Sequence, residues 1–496
     1  MIVNTSEGTF KLLDGQQRLA TSAILLSGIR DRVKEFNIDA AKQLQSDYLV
    51  SYDHVEGKTI HKLRLNVYDR DFFRQLVLEE RGEDYKEPTP KISSHYQIQK
   101  ARKKFEQHLV NFVGELPPKE AFMKCMALSR CLLRQMTVIS VYSSDEDSAA
   151  DVFETLNDRG IGLSTPDLLR NLVIRRAGEG QEDIVVELWK DLISFDSDTQ
   201  IQNFLRHYWV SRHGDVKTQS LYREIKGVIV DKDLESIALS TSLSQSSEIY
   251  RQLVDANTSS MELNKLLAEV QDYGSRGRIL LPTLIALVEE LGADEAVAAA
   301  NVAHNVFVRH SIIRNLENSP LENAMYEGAR DFREDKDIAK FLSRIISVSP
   351  NDQNIVDTFA ALSIVHNGSR RNLLKRFEMN ARGTEELEIA GSARVHVEHV
   401  YPQKPLPNNK VPNHDKIINR IGNLTLLSAS INKTLQNGAF KDKREMLAKS
   451  EIIMTQAIAA NSDWDEARIV DRQAQMAAIA PSLWPIDLPV TPPPSP

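Results

Sequence analysis

Apolar positions change their period several times along this chain, and each change marks an element. The start alternates: Met1-Ile-Val3 and Thr9-Phe-Lys-Leu-Leu13 predict two short strands around a polar turn at 4–8. Leu19, Ser22, Leu26, Ile29, Val33 and Phe36 then recur every three or four residues, which predicts a helix with one buried stripe whose single polar member is Ser22. Ala149, Val152, Phe153 and Leu156 share a helical face, Asn157–Gly160 ends it, and Thr165 as N-cap with Pro166 as first helical residue starts another helix. Helical patterns follow from about 180 to 370, among them 279–291 and 296–313, with polar interruptions at 212–218, 239–247 and 348–353. No fixed-period repeat is present. The pattern then turns to a β-branched run at Val395–Val400, a Pro/Asn-rich loop at 401–415, a second apolar stretch and a helix. Pro481–Pro496 ends in Thr-Pro-Pro-Pro-Ser-Pro and predicts a loose tail.

At 496 residues the chain is too long for one core, so two or three domains are expected. With 42% hydrophobic and 26% charged residues, it has a globular composition rather than a disordered or membrane one. The first ten residues lack a basic start and an apolar core, and no apolar run reaches the length of a membrane span, so a cytoplasmic protein is expected. Two cysteines, Cys125 and Cys131, make neither a disulfide framework nor a CxxC zinc pair, and both read as buried helix residues. The formal charge of −8 excludes a surface that is basic throughout. Residues 391–450, however, carry ten Lys/Arg against four Asp/Glu, so any contact with nucleic acid gathers there.

That basic stretch also holds the candidate chemistry. Strand alternation puts His396 and Glu398 on one face and His399 on the other. Downstream, Gly422-Asn423-Leu424 and Asn432 follow in order. Hydrolysis of a phosphodiester near neutral pH needs a base for water and a cation for the leaving oxygen. A histidine such as His399 suits the first role, and the oxygens of Glu398 and Asn432 suit Mg²⁺ or Mn²⁺. Taken singly, a strand histidine is more often a hydrogen-bonded core residue and Asn423 a turn residue. A zinc site from His396, His399 and His414 is the rival chemistry, without cysteines to support it.

At the other end, Asp14-Gly15-Gln16-Gln17-Arg18 joins a strand to a helix. The backbone N–H groups of a helix start and a forked Arg18 would cradle a phosphate. Asp14 and Gln17 equally make a capping box, which is purely structural.

Taken together, the strand His396–Val400 with Pro402, the Gly422-Asn423-Leu424 turn, Asn432, Asn437, Phe440 and Lys443 resemble the GmrD-type HNH nuclease domain, a ββα-metal (His-Me finger) fold. Trp464, Ile469, Arg472 and Trp484 look like its close. The resemblance implies His399 as general base, with Asn423 as its catalytic companion bracing the loop. It implies Glu398, Asn432 and His396 as metal contacts and Lys443 as a phosphate contact. Leu13–Leu19, Phe153–Gly160, Leu163 and Asp167–Arg170 are similar to the GmrS-type domain, related to the ParB/sulfiredoxin fold. There the Asp14–Arg18 motif implies binding of a nucleotide such as GTP or ATP. That family's domain begins some tens of residues earlier, with a Tyr-Gln-Arg-containing segment, so the expectation is either that the start is truncated here or that the nucleotide site is incomplete.

The expectation is an α+β, mostly helical protein: a partial ParB-like domain at 1–180, a helical connector at 181–370, an HNH domain at 371–485 and a Pro-rich tail at 486–496. The order resembles single-chain GmrSD-like type IV, modification-dependent restriction endonucleases and the related nicking enzymes that sense phosphorothioated DNA. This implies metal-dependent cutting of modified phage DNA, under nucleotide control, by a monomer or homo-oligomer that does not engage membranes. The alternative is a non-catalytic nucleic-acid sensor or assembly subunit of a defence complex.

Overall fold

The computed structural model describes residues 2–4, 10–12, 15–54, 57–66, 68–82, 85–143, 164–177, 180–193, 195, 197–231, 235–383, 389, 393–405, 413–435 and 438–488. Asp14, the expected helix at 149–156 with its stop at 157–160, Asn437 and the tail from 489 lie outside these. The chain divides into two compact units, Met1–Ser164 and Thr165–Pro496.

In the first unit β1 (Ile2–Asn4) lies between β2 (Phe10–Leu12), antiparallel with Ile2 opposite Leu12, and β5 (Tyr142–Ser143), which is parallel to it. A separate hairpin pairs β3 (Val50–Asp53) with β4 (Lys58–His61). The core lies under α1 (Gln16–Lys34), α2 (Ser93–Val113) and α3 (Pro118–Arg130). Gly15 precedes α1 with φ +90°, a left-handed conformation that favours glycine, and it occupies the N-cap without any side-chain cap. Gly15 therefore holds the N-cap place that the capping-box reading gave to Asp14, and Asp14 itself lies outside the described residues.

Leu26, Ile29 and Val33 are buried as the stripe predicts, but Leu19 is 48% exposed. The helix that crosses α1 meets it at Ile24, Ser27 and Gly28, beyond the reach of the first turn. A Cβ on Gly28 would come within 2.9 Å of both Arg102 and Leu109, so this crossing needs glycine for its closeness. Cys125 is buried in this core, whereas Cys131 is exposed, contrary to expectation: at that turn Leu132 and Leu133 are the residues that pack against the core.

In the second unit one core runs from Leu169 on the helix Thr165–Arg175 through Phe307 and Leu374 to Leu426 and Trp484. The helical stretch and the later strands are thus built on the same interior. The anticipated division at 370/371 falls inside α6 (Asn367–Arg382), whose Leu373, Leu374 and Phe377 are buried there. The polar interruption expected at 239–247 is helical instead, within α4 (Ser236–Val254). Two of its serines bond to neighbouring helices: Ser240 accepts from Trp189 Nε1 at 3.2 Å and Ser242 accepts from the Tyr208 hydroxyl at 2.8 Å. Polar composition therefore marks a helix–helix seam here, not a loop.

α5 (Asp352–Phe359) and α6 lead to β6 (Val395–His399), which pairs antiparallel with β7 (Leu424–Ser428); α7 (Ala429–Leu435), α8 (Phe440–Ala448), α9 (Ile453–Ala459) and α10 (Glu466–Leu483) follow. α10 continues through Pro481, and Trp484 beyond it is buried against Phe359 and Phe377 rather than lying in a loose tail. The buried Arg309 fixes that end, donating to Trp484 O at 2.6 Å, Pro481 O at 3.0 Å and Asp352 Oδ1 at 2.7 Å. Among the described residues no helix is long and apolar enough to cross a membrane.

Two histidines in this core are held neutral. Burial lowers His207 to about 3 and His304 to about 4. Both values lie below that of an unfolded chain, so the unfolded state takes up protons first and stability falls as pH drops below 6.5. By pH 4 each histidine should cost on the order of 3 kcal/mol. Denaturant unfolding of His304→Leu should therefore show a smaller loss between pH 7 and 4.5 than the parent; identical losses would contradict this assignment.

Candidate active site

β6 and β7 form an antiparallel hairpin followed directly by a helix, and the candidate residues sit along its rim. Register pairs His396 with Leu427, Glu398 with Thr425 and His399 with Leu424. His396 and Glu398 hence share one face, while His399 points to the other together with the buried Leu424 and Leu426.

The chain just after His399 is fixed by Asn423. This residue is fully buried and its amide is fully used: Oδ1 accepts from Tyr401 N–H at 2.8 Å and from Trp464 Nε1 at 3.2 Å. Its Nδ2 donates to the carbonyls of Tyr401 and Ile418, each at 3.1 Å. Val400 N–H also donates to Asn423 O at 3.0 Å. Asn423 braces the histidine strand without facing solvent.

The brace is itself held by α10. Arg472 donates to Gly422 O at 2.7 Å and Leu424 O at 2.8 Å, and burial lowers its pKa to about 10 without removing the charge at neutral pH. Gln473 binds Phe359 O and Leu362 O through Nε2 and Arg420 through Oε1. A Cβ at Gly422 would lie 2.3 Å from Ile469 O, so the turn can approach α10 only with glycine there.

Lys443 differs from expectation. Only 1% of its side chain is exposed, and Nζ donates to Glu398 Oε1 at 2.6 Å and His399 O at 2.9 Å. It props the strand from beneath instead of presenting a charge to a phosphate. Asn432 lies half-buried on α7, and His396 is half-buried. His414 is buried and tilted against the Tyr401 ring at 5.7 Å. Among the described residues no three His, Cys, Asp or Glu side chains converge as a metal cluster, which leaves the rival zinc site without support.

His399 is half-buried, with Nε2 3.3 Å from Gln403 Nε2. Its pKa is lowered to about 4, first by burial, then by the charges of Arg370 and Lys443, against a hydrogen bond with Asn419 that favours the protonated ring. At neutral pH the ring is thus uncharged and able to accept a proton.

Arg370, Asn419 and Gln403 were not singled out by sequence reasoning. Arg370 lies in the stretch read as a connector, 29 residues before His399, where no local pattern links the two. At the other end of the chain, Gln16 Nε2 donates to Leu12 O at 2.8 Å, and Gln17 and Arg18 are exposed beside the left-handed Gly15.

The matches to known proteins name a class of enzyme at each end of the chain. Residues 349–479 match the C-terminal domain of GmrSD restriction endonucleases, and residues 1–174 match the GmrSD restriction endonuclease N-terminal domain. The class is therefore a restriction endonuclease of phage defence, an enzyme type that acts on DNA. Together the matches span more than half of the chain, and the chain belongs to the GmrSD family. No curated protein matches it.

Asn423→Ala would strand four buried polar partners, each worth about 1–3 kcal/mol when left unpaired. It should lower the unfolding free energy by roughly 3 kcal/mol or more and release Trp464, read by denaturation and near-ultraviolet dichroism; a neutral substitution would remove Asn423 as the brace. In an NMR titration, His399 should stay neutral from pH 8 down to pH 5, and a midpoint near 6.5 would contradict its burial beside Arg370.

Proposed function

We propose that the β6–β7–α7 segment is a metal-dependent HNH site that hydrolyses phosphodiesters of DNA, with His399 as the general base. The observation that carries this reading is a neutral, half-buried imidazole at the end of a braced strand, beside a carboxylate held on the opposite face. His399 takes the proton from an attacking water, and the Asn423 brace keeps the ring at the strand's end while it does so.

The donor set fits a hard divalent cation with open positions. Lys443 occupies Glu398 Oε1 and leaves Oε2; His396 shares that strand face, and Asn432 supplies an amide oxygen from the helix packed on β6. One carboxylate with neutral donors suits Mg²⁺ or Mn²⁺, which keep several waters and take phosphate oxygens as further ligands. When bound, such a cation would stabilise the negative charge on the departing oxygen.

The substrate in this reading is modified phage DNA in the bacterial cytoplasm, and the helix start at Gly15–Arg18 binds a nucleotide that controls cutting. The left-handed Gly15 and the exposed Gln17 and Arg18 at the N-terminus of a 19-residue helix support the latter. A second reading, a sensor that binds DNA without cutting it, draws on one observation: Lys443 already neutralises Glu398.

His399→Ala should lower cleavage roughly 10²–10⁴-fold while leaving the fold and DNA binding intact. EDTA should stop the parent enzyme, and excess Mn²⁺ should partly rescue Glu398→Ala and Asn432→Ala. Plasmid and phage-DNA cleavage measures all three. Cutting by the folded His399 variant at the parental rate removes the proposed base, and binding without any cutting by the parent favours the sensor.

A further inference from the structure

A second concentration of positive charge lies in the first unit, apart in sequence from the one at 391–450. Residues 88–105 hold five Lys or Arg and no Asp or Glu, in a chain whose formal net charge is −8. Most of them fall on α2. Arg102 turns inward: it is buried, donates to Ser27 Oγ at 3.0 Å and pairs with Asp31 and, at 3.1 Å, with Glu106. That pins α2 against α1. The opposite face carries Tyr96, Lys100, Lys103, Lys104, Gln107 and Asn111, all exposed and all within about 100° of the helix surface.

Lysines on other helices of this chain have carboxylates beside them. Lys265 donates to Glu262 at 2.8 Å, Lys340 to Asp335 at 2.6 Å and Lys449 to Glu445 at 2.7 Å, each within five residues. Around Lys100 and Lys104 the corresponding places hold Tyr96, Gln97, Ala101, Gln107 and His108. Neither lysine makes an ion pair or hydrogen bond with a described residue. The carboxylates nearby are engaged by other groups: Glu106 pairs with Arg81 and Arg102, and Glu87 accepts from Gln99 Nε2 at 2.7 Å, with Lys103 more distant at 3.8 Å. Lys100 and Lys104 also stand one turn apart, and like charges at that spacing weaken a helix. Among the described residues nothing offsets this repulsion, whereas a polyanion laid along the row would.

We propose that this face of α2 binds the phosphate backbone of duplex DNA, with Lys100, Lys103 and Lys104 on phosphates and Tyr96, Gln107 and Asn111 as neutral hydrogen-bonding neighbours. DNA is the polyanion that a restriction endonuclease has to hold, which favours it over RNA or an anionic membrane. The inference rests on that substrate class and not on His399 as the base. Side chains of these kinds position a protein on a duplex without reading its bases. The face therefore holds DNA of any sequence.

The test measures binding of the full chain to a fluorescein-labelled duplex over a range of salt concentrations, with EDTA present to silence cleavage. For Lys100→Gln/Lys104→Gln, affinity should fall about tenfold at low salt, and the slope of log K against log salt should shrink by about 1 per lysine removed. Thermal stability should stay the same or rise because the repulsion is gone; a row that served only the fold would lose stability instead. Tyr96→Phe should weaken binding slightly and leave the slope unchanged. Lys265→Gln/Lys340→Gln is the control and should bind as the parent does. The inference is overturned by a Lys100/Lys104 variant that keeps the parental affinity and slope, by an equal loss in the control pair, or by a parent that binds no duplex. It is equally overturned if these lysines hold RNA or phosphatidylserine vesicles in preference to the duplex. Cutting by His399→Ala at the parental rate would remove the proposed base and leave this binding surface standing.

Discussion

The buried amide of Asn423 is the interaction on which the rest of the site depends. A backbone that carries the proposed general base has to be held firmly, because a shift of about 1 Å can cost two orders of magnitude in rate. Here one side chain satisfies Tyr401 on both its N–H and its carbonyl and also binds Ile418 and Trp464. That closes a loop which hairpin pairing alone would leave open. The brace works only because α10 comes close enough to hold it, and that closeness requires Gly422.

From this constraint follows the need for a shared interior. α10 is fixed to the helical stretch through Arg309 at its far end and through Gln473 bound to Phe359 and Leu362 near the turn. The helices before residue 370 are therefore the wall against which the hairpin is aligned. Burial first, and then the charge of Arg370 on α6, lower the basicity of His399. A charge buried beside a base is unfavourable unless it is well bonded, and Arg370 meets that condition through Ile364 and Asn419.

Much of this was legible in the sequence, though unevenly. The hairpin strand at 395–399 stood out by its β-branched alternation, and Gly422-Asn423 by its turn chemistry; the structure has a strand and a glycine-dependent turn at those places. Periodicity found the long helices because apolar spacing directly reflects burial. It failed for the serines of α4, where side-chain hydrogen bonds between helices replace apolar contact, and for Leu19, which has the right spacing yet is half exposed. Charge alone misled at Lys443. A lysine in a basic segment reads as solvent-facing, and only the three-dimensional meeting with Glu398 reveals it as a buried strut. Arg370 and Asn419 were beyond reach for the same reason: their partnership joins positions 49 residues apart with no periodic trace.

The central claim is that reactive chemistry gathers at the rim of β6, β7 and α7, and metal-directed self-cleavage tests it most directly. The protein would be loaded with Fe²⁺ in place of Mg²⁺ and treated with ascorbate and peroxide, so that hydroxyl radicals cut the backbone next to the bound ion. Peptide mapping should place the cuts at 396–399 and 428–433, and Glu398→Ala should suppress them. Cuts confined to other parts of the chain, or cuts at the hairpin that Glu398→Ala leaves unchanged, would contradict the account.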